Sequence, residues 1–254
     1  MIMRAVAACG LLSGLLVAPR CPADVLGIDS TTTGPALTNV ATPEAAILRF
    51  AVGAETYSNL DFFAASAVNN ISQPFMAQEG LAPPATVDLP FVLGMLSSEY
   101  ITQGKANATT VDFDIGGSLS STDNTLLFMY ELNTSGQDGD DVTVYPLNGG
   151  GSPIGTWSLT INPADYGPQT PLFNIDFAPV NSLANVGARG VTFTLSDFTG
   201  DTGTLTGVEG LRFHDSGAAW DPIAAGAAVP EPGTFTMTAL SLLLLAAGFR
   251  HRRP

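Results

Sequence analysis

The stretch Thr125-Leu-Leu-Phe-Met-Tyr130 decides the fold, because six consecutive residues without a charge predict a strand whose two faces are both covered. The stretch Thr110-Val-Asp-Phe-Asp-Ile115 alternates instead and places Val111, Phe113 and Ile115 on one side. Such alternation predicts a strand with one face in a core and polar residues on the other. A central strand accompanied by half-buried ones is the pattern of packed β-sheets.

Short runs of the same kind continue along the chain, separated by Gly, Ser, Thr, Asn, Asp and Pro. They predict further strands at residues 142–145, 156–161, 172–177, 191–195 and 205–213. A strand roughly every 15 residues favours an all-β, two-sheet antiparallel sandwich of about eight strands. A jelly-roll topology is the first expectation and an immunoglobulin-like sandwich is the alternative. Residues 58–71 fit either a short amphipathic helix or a strand followed by a loop.

Two stretches of low apolar content mark where this domain is expected to begin and end. Residues 29–35 are polar or small and predict a flexible lead or, at most, an edge strand. Residues 224–228, Ala-Ala-Gly-Ala-Ala, predict a flexible linker into the C-terminal segment. One domain over residues 24–228 is expected, since about 205 residues can bury a core that needs no covalent crosslink.

The N-terminus has the three parts of a secretory signal peptide. Residues 1–4 carry a positive charge, residues 5–18 are apolar and rich in Leu and Ala, and small residues precede Asp24. The sequence therefore predicts a signal helix over residues 1–23 and export by the Sec machinery. Both cysteines, Cys9 and Cys21, lie in this segment, so the domain is expected to contain neither a disulfide nor a cysteine nucleophile.

The C-terminus combines three features in a fixed order. Val229-Pro230-Glu231-Pro232 comes first, and its two prolines hold the backbone extended and break any helix. Residues 234–249 carry no charge, and as a helix they would span roughly 24 Å of the roughly 30 Å hydrocarbon layer. Arg250, Arg252 and Arg253 follow and favour the cytoplasmic side of a membrane. A transmembrane helix with the domain outside the cytoplasm is therefore expected.

This C-terminal segment, residues 229–254, resembles the PEP-CTERM sorting signal of Gram-negative bacteria, whose carriers are processed by the membrane peptidase exosortase. The resemblance implies an exported protein at the cell surface or outside the cell, with transient anchoring in the inner membrane. Proteins with this signal are associated with exopolysaccharide and biofilm formation, which the resemblance implies as the setting. It covers only the sorting signal, so it leaves the activity of the domain and the final fate of the tail open.

The charge of the chain excludes one class of partner. The chain has nine basic and 23 acidic residues, and only Arg49, Lys105, Arg189 and Arg212 lie between the two terminal segments. The domain between them then has a formal charge of about −18. Nucleic acid is excluded as a partner because phosphate binding needs clustered Lys and Arg. Divalent cations suit such a surface better. The alternative is that the negative charge keeps an exported protein soluble by repulsion between copies, which explains much of the charge without a binding site.

The first candidate for chemistry is an acidic turn. Asp138, Asp140 and Asp141 place three carboxylates within four residues between two predicted strands, and Ca²⁺ is bound by oxygen ligands in such loops. Calcium is therefore the one cofactor that the sequence suggests. The alternative is a turn without metal, because Asp-Gly pairs also serve hairpins for backbone reasons. Residues 197–203 form a second acidic turn, where the metal-free interpretation is favoured more strongly.

The second candidate is carbohydrate recognition, in which sugars stack on exposed aromatic rings. The aromatic candidates are Tyr130, Tyr145, Trp157 and Trp220. Trp157 lies in a predicted strand, where packing in the core is the competing interpretation. Trp220 follows the last predicted strand in a segment with His214, Asp215 and Asp221, which either caps the sandwich or lines a site.

Signatures of an enzyme are largely absent. His214 is the only histidine before the C-terminal segment, and no Gly-x-Ser-x-Gly elbow presents a nucleophile. One histidine without cysteine does not build the usual zinc site. We therefore expect a non-enzymatic exported protein with a structural or adhesive role. The alternative is a calcium-assisted carbohydrate-binding module that uses the first acidic turn and Trp220, and a carbohydrate-active hydrolase, whose paired carboxylates need no motif, comes third.

Overall fold

The computed structural model describes residues 25–33, 47–69, 74–75, 89–97, 105–106, 109–123, 125–133, 140–168, 170–177, 181–215 and 221–230. The strands are β1 (Leu26–Gly27), β2 (Ser30–Thr33), β3 (Ile47–Val52), β4 (Glu55–Phe62), β5 (Ala64–Asn69), β6 (Pro74–Phe75), β7 (Lys105–Ala106), β8 (Thr110–Leu119), β9 (Leu126–Asn133), β10 (Val142–Leu147), β11 (Leu159–Ile161), β12 (Thr170–Phe177), β13 (Asn181–Phe193), β14 (Val208–Asp215) and β15 (Pro222–Pro230). One helix, α1 (Leu89–Leu96), and two 3-10 turns at Pro163–Asp165 and Leu195–Asp197 accompany them. No helix in these ranges has the length and apolar content needed to cross a membrane. The predicted signal helix and transmembrane helix lie outside the described residues.

The strands form two large antiparallel sheets. The larger has the order β1-β13-β9-β15-β4-β3-β2, with β12 also paired to β13, and the smaller has the order β11-β10-β14-β8-β5. A further two-stranded pair joins β6 and β7. The prediction of an all-β fold with two antiparallel sheets is thereby confirmed, and the described residues contain 15 strands where the sequence predicts about eight.

Alternating residues of both sheets meet in a shared apolar layer. Leu127 and Met129 of β9 and Phe193 of β13 come from the larger sheet, and Phe113 of β8 and Phe213 of β14 come from the smaller. Each of these residues is at most 1% exposed. The rings of Phe113 and Phe213 meet edge to face with their centroids 5.6 Å apart. This inter-sheet layer holds the two sheets face to face by burying apolar surface from both.

The larger sheet closes on itself through the N-terminal strands. β1 and β2 lie at opposite ends of its strand order, yet only Ile28 and Asp29 separate them in the chain. The Ile28 amide donates to the carbonyl of Gly190 in β13, and the Asp29 amide donates to the carbonyl of Ala51 in β3, each at 2.9 Å. Because consecutive residues between β1 and β2 bond to β13 and to β3, the strands second from each end of the order, the sheet closes into a barrel.

Aromatic rings fill this barrel. Phe50, Tyr57, Phe128 and Tyr130 are each 1% exposed, and the Phe50 ring lies 5.2 to 6.2 Å from the other three, centroid to centroid. The Tyr130 hydroxyl forms a 3.2 Å hydrogen bond with Thr31 Oγ1, while burial raises the pKa of Tyr130 well above its ordinary value. Phe128 and Tyr130 alternate along β9 with the residues of the inter-sheet layer. The prediction that this strand is covered on both faces is therefore confirmed.

Two glycines make room for these rings. A Cβ on Gly190 would lie 2.5 Å from Ile28 Cδ1 and 2.9 Å from the nearest atom of the Tyr130 ring. A Cβ on Gly226 would collide with the Phe128 ring and with the carbonyl oxygen of Asp61. At these two positions in β13 and β15 the barrel has space for glycine and for nothing larger.

The predictions about the two ends of the domain have different outcomes. Residues 30–33 form β2 at one end of the strand order of the larger sheet, so the edge-strand alternative is confirmed for them and the flexible lead is wrong. Residues 224–228 are no linker, because they lie in β15, where Ala224, Ala225 and Ala228 are at most 2% exposed. Small residues predict a linker in isolation, but β15 lies between two crowded cores that admit only small side chains. β4 and β5 cover residues 58–62 and 64–69, so the helical interpretation of this region is wrong, and a second strand stands where the alternative placed a loop.

An ion pair joins β8 and β14 in the smaller sheet and gives a first testable expectation. Arg212 Nε and Nη2 each lie 2.7 Å from an oxygen of the Asp112 carboxylate, and this hydrogen bonding raises the pKa of Arg212. Asp112 is only 8% exposed. We expect Arg212→Leu to lower the free energy of unfolding by about 2 kcal/mol, because it leaves a nearly buried carboxylate without its cation. Urea denaturation beside the exposed-site control Arg49→Leu measures this, and equal losses in the two variants would contradict the expectation.

Candidate functional site

The inter-sheet layer ends in polar side chains supplied by three strands. Alternation along β9 beyond Met129 places Glu131 on the inter-sheet side, and the same alternation places Arg189 there from β13 and Asp215 from β14. Glu131 is 1% exposed and Asp215 is 5% exposed. Together with Tyr166, which packs in the same layer, these residues form what we call the polar end cluster.

The register of the larger sheet sets the electrostatics of this cluster. Glu131 lies directly opposite Arg189 on one side and Pro222 on the other. Directly opposite residues of an antiparallel pair have Cβ atoms about 5 Å apart on the same face, so the carboxylate and the guanidinium are within reach of each other. Among the described residues of this cluster, the one cation of Arg189 stands beside the carboxylates of Glu131, Asp215 and the neighbouring Asp140, so the cluster is negative overall.

The hydroxyl of Tyr166 lies in the field of several carboxylates. The residue is 7% exposed and packs against the inter-sheet layer. Burial raises the pKa of Tyr166 well above its ordinary value, and the negative charges of Glu131, Asp140 and Asp165 raise it further. The phenol is therefore held in its neutral form, which adds no charge to a cluster that is already acidic.

The predicted calcium turn meets the polar end cluster. The Asp140 amide donates to Glu131 Oε2 at 3.3 Å. Asp140 is half-buried and Asp141 is exposed, whereas Asp138 lies outside the described residues. In the ranges that the structure describes, no group of three or more His, Cys, Asp or Glu side chains is placed to hold a metal ion. The described part of the turn therefore supplies carboxylates close to Glu131 without forming a complete site.

The segment that contains Trp220 is attached at the same end of the domain. Asp215 ends β14 and pairs with Val142, the first residue of β10. Asp221 directly precedes β15, whose first residue pairs with Glu131. Trp220 itself lies outside the described residues, and its role stays a prediction. Strand ends thus bring two segments singled out by sequence to one end of the protein: the acidic turn before β10 and the segment that contains Trp220.

Sequence reasoning missed Glu131, Arg189 and Tyr166. Only Glu131 had a local signal. It is a charged residue directly after the uncharged run of β9, and both faces of that strand are covered, so the charge is buried on either face. Arg189 and Tyr166 carry no such signal, since only the strand register and the packing of the layer bring them to Glu131.

The remaining aromatic candidates have structural roles in whole or in part. Tyr130 is enclosed in the barrel and cannot stack on a sugar. Trp157 is half-buried and packs against the inter-sheet layer, which agrees with its core interpretation. Tyr145 is half-buried in β10. His214 is also half-buried, and its Nδ1 lies 3.0 Å from the hydroxyl of Thr110 on the neighbouring strand.

Carboxylates of the second acidic turn bond to the backbone. Asp197 Oδ2 accepts hydrogen bonds from the Thr194 amide at 2.6 Å and from the Thr194 hydroxyl at 2.9 Å. The Asp201 carboxylate accepts the Thr156 amide at 2.9 Å and the Thr156 hydroxyl at 2.8 Å. Both acids thus stabilise turns, which supports the metal-free interpretation of residues 197–203.

The hydrogen bonds to Asp201 predict a pH dependence of stability. They lower the pKa of Asp201 below its ordinary value of 3.8. A group whose folded-state pKa is lowered stabilises the fold above its unfolded-state pKa, and this contribution is lost as the pH falls through the folded-state value. We expect Asp201→Asn to lower the thermal midpoint at pH 7 and to lower it less as the pH falls through the folded-state pKa of Asp201, because the charged carboxylate is lost there. Thermal unfolding at pH 7 and at a series of acidic pH values checks this, and a difference that stays constant as the pH falls would contradict it.

The sorting segment begins inside the fold. Val229 pairs with Asn59 of β4 and Pro230 pairs with Tyr57, whereas the pairing of β15 with β9 reaches only Ala228. The other residues of the predicted signal lie outside the described ranges: Glu231, Pro232, Arg250, Arg252 and Arg253. β15 has nine residues, so its start at the polar end cluster and its end at the sorting segment lie about 27 Å apart along the strand.

Comparison with known proteins gives one match. Residues 228–253 match the family model described as the PEP-CTERM protein-sorting motif, which confirms the resemblance of the C-terminal segment. Neither the curated proteins nor the solved structures contain a match to the chain. The protein is therefore exported, associated with the cell envelope and sorted by exosortase.

Proposed function

We propose that this is a non-enzymatic protein of the cell surface or extracellular matrix, with a structural or adhesive role linked to exopolysaccharide or biofilm. The observation that carries the proposal is the path of β15, which begins beside Glu131 in the polar end cluster and ends in the sorting motif. A protein held by its C-terminal segment would then direct the cluster, with the attachment points of both predicted loops, away from the membrane.

Packing supports a passive rather than a catalytic role. The largest aromatic side chains of the barrel are enclosed. The carboxylates of the second acidic turn accept hydrogen bonds from backbone amides. Exosortase and the Sec machinery are then partners during export, the inner membrane is a transient one, and exopolysaccharide is the partner at the destination.

Co-sedimentation with exopolysaccharide from the producing organism tests the adhesive role. The chain should run from Asp24 to Gly233, so that all of β15 is retained. Saturable binding supports the adhesive role, and absence of binding removes it while leaving a structural one. Release of reducing sugar from the same polysaccharide would overturn the non-enzymatic proposal in favour of a hydrolase.

A calcium-assisted carbohydrate-binding module is the second candidate. The observation that favours it is the contact between the predicted calcium turn and a negative cluster, made by the Asp140 amide on Glu131. Asp138, Asp140 and Asp141 would supply oxygen ligands, and Trp220 would stack on the sugar.

Calcium dependence distinguishes this candidate from a passive protein. We expect 1 mM Ca²⁺, roughly a hundred times a Kd of 10 µM, to stabilise the fold by about 2.7 kcal/mol and to raise the thermal midpoint by several degrees. EDTA should reverse the effect, and Asp140→Asn should reduce it. Asp123→Asn, in an exposed turn elsewhere, is the matched control and should respond to Ca²⁺ like the unchanged protein. Identical melting with Ca²⁺ and with EDTA would remove this candidate.

We also propose that the sandwich is jelly-roll-like rather than immunoglobulin-like. From β8 onward the chain passes to the other sheet at β9, returns at β10, passes again at β12 and β13, returns at β14 and ends in the larger sheet at β15. Repeated crossing between two sheets supports the jelly-roll description, in which the chain wraps around the inter-sheet core.

A further inference from the structure

The last strand of the barrel and the sorting motif share residues. Val229 and Pro230, the first half of the motif, are paired with Asn59 and Tyr57 of β4. Recognition of a peptide by strand addition uses the backbone groups along the edges of an extended segment. A peptidase that binds the motif in this way therefore competes with β4 for the same residues.

The chain between the barrel and the predicted membrane segment is short. Only Glu231, Pro232 and Gly233 separate the end of β15 from the apolar run that begins at Thr234. Three residues span at most about 11 Å, which is small beside the roughly 30 Å diameter of a small domain. With the apolar run in a membrane, a docked β15 holds the barrel against the membrane surface, directly beside the motif.

β15 docks late, and its own small side chains add little apolar area to the contact. Four of its nine residues are alanine and one is glycine, and both residue types are poor strand formers that bury little apolar area. β15 is the last described strand in the chain, and its place lies between β9 and β4, which pair on their other sides with β13 and β3. The strand that completes the barrel is therefore the last to be exported and the one nearest to the membrane segment.

We propose that docking of β15 restrains processing at the sorting motif. Exosortase acts on chains whose β15 has its C-terminal end released from β4, and a fully docked strand protects its own motif. Folding of the domain and release from the membrane are then competing events for each exported chain. The inference depends on the sorting motif and not on an adhesive role, so loss of exopolysaccharide binding would leave it intact.

A spacer tests the restraint in full-length chains expressed in the producing cells. Eight Gly and Ser residues between Ala228 and Val229 leave the pairing of β15 with β9 in place and move the whole motif out of the sheet. The matched control carries the same spacer between Gly150 and Gly151, in an exposed turn of the smaller sheet. Pulse-chase labelling measures how fast each chain is converted to its processed form, and limited proteolysis checks that each barrel is folded.

We expect the spacer chain to be processed about tenfold faster than the unchanged and control chains. A factor of ten corresponds to about 1.4 kcal/mol, the scale of one or two strand hydrogen bonds. Equal rates, or a slower spacer chain, would overturn the proposal, because the docked strand would then be no obstacle.

A reversible crosslink tests the same proposal without changing the length of the chain. Asn59 and Val229 are register partners, and the Cα separation of opposite residues in antiparallel strands suits a disulfide. We expect the oxidised chain with Asn59→Cys and Val229→Cys to be processed at least about tenfold more slowly than the same chain after reduction. Equal processing before and after reduction would overturn the proposal, and the reduced chain controls for any effect of the substitutions on recognition.

Discussion

A chain that ends at Asp221 is expected to lose cooperative folding altogether. Its missing strand, β15, lies between β9 and β4 and belongs to both cores, because Ala225 packs in the inter-sheet layer and Ala224 and Ala228 pack in the barrel. Without β15 the barrel opens between these two strands, and its aromatic rings meet water. We expect the loss to exceed the roughly 5 to 15 kcal/mol by which domains are usually stable.

Far-UV circular dichroism during heating measures this effect in three chains that all begin at Asp24. The chain ending at Gly233 should melt cooperatively. The chain ending at Ala228 should also melt cooperatively, with a loss of about 1 kcal/mol, because it loses only the pairings of Val229 and Pro230 with β4. A cooperative transition in the chain ending at Asp221 would show that β15 is an accessory to a fold that is complete without it.

Gly226→Val is expected to cost about 3 kcal/mol or more. Its Cβ would collide with the carbonyl oxygen of Asp61 on the neighbouring strand and with the Phe128 ring inside the barrel. The carbonyl oxygen of Asp61 belongs to the backbone of a paired strand and cannot move away. β15 therefore has to shift, and the Phe128 ring has to adopt a strained side-chain conformation. For a chain of this size such a loss lowers the thermal midpoint by about 6 to 12 °C.

The matched control is Gly117→Ala in β8, where a Cβ would meet no atom within 4 Å. It should leave the thermal midpoint within about 1 or 2 °C of the unchanged protein. Combining Gly226→Val with Phe128→Leu removes the outer atoms of the ring and should recover part of the loss, which a double-mutant cycle measures. A Gly226→Val protein that melts like the Gly117→Ala protein would contradict the tight packing described for the barrel.

Alternation and composition predicted the parts of the fold that depend on local sequence. The uncharged run of β9 predicted a strand with two covered faces, and the structure places one core on each face. The alternation of β8 predicted Val111 and Phe113 on one side, and both lie in the inter-sheet layer. These predictions were correct because each depends on residues within one strand.

Closure of the barrel could not be predicted in the same way. The hydrogen bonds of Ile28 and Asp29 join strands that are more than a hundred residues apart in one direction and about twenty in the other. Nothing in the sequence of residues 30–33 distinguishes a strand that closes a barrel from an exposed polar segment. Likewise, alanine and glycine fit in β15 because Phe128 and its neighbours leave little space there. The size of that space depends on the partner strands and not on the sequence of β15.

The candidate site likewise contains residues that local sequence predicts and residues that only the fold brings together. The acidic turn was found because its carboxylates are adjacent in sequence, and the connection of Asp140 to Glu131 was missed because it depends on which strand ends meet. Arg189 lies 58 positions after Glu131 and reaches it only through the register of β9 and β13. Sequence reasoning therefore found Asp140 and Asp215 from their own segments, and it missed Glu131, Arg189 and Tyr166, which join them only in the fold.

Closure of the larger sheet also bears on how many copies of this protein can be crowded together. An open sheet edge is a template on which a second chain can add a strand, and this is a common route to aggregation. The N-terminal strands remove such a template at the place where the barrel closes. At the β5 edge of the smaller sheet, Ser97 beside α1 accepts the Ala65 amide at 2.7 Å and occupies a donor that an added strand would use. Copies displayed at high density then have fewer strand edges on which to add one another, and their negative charges repel.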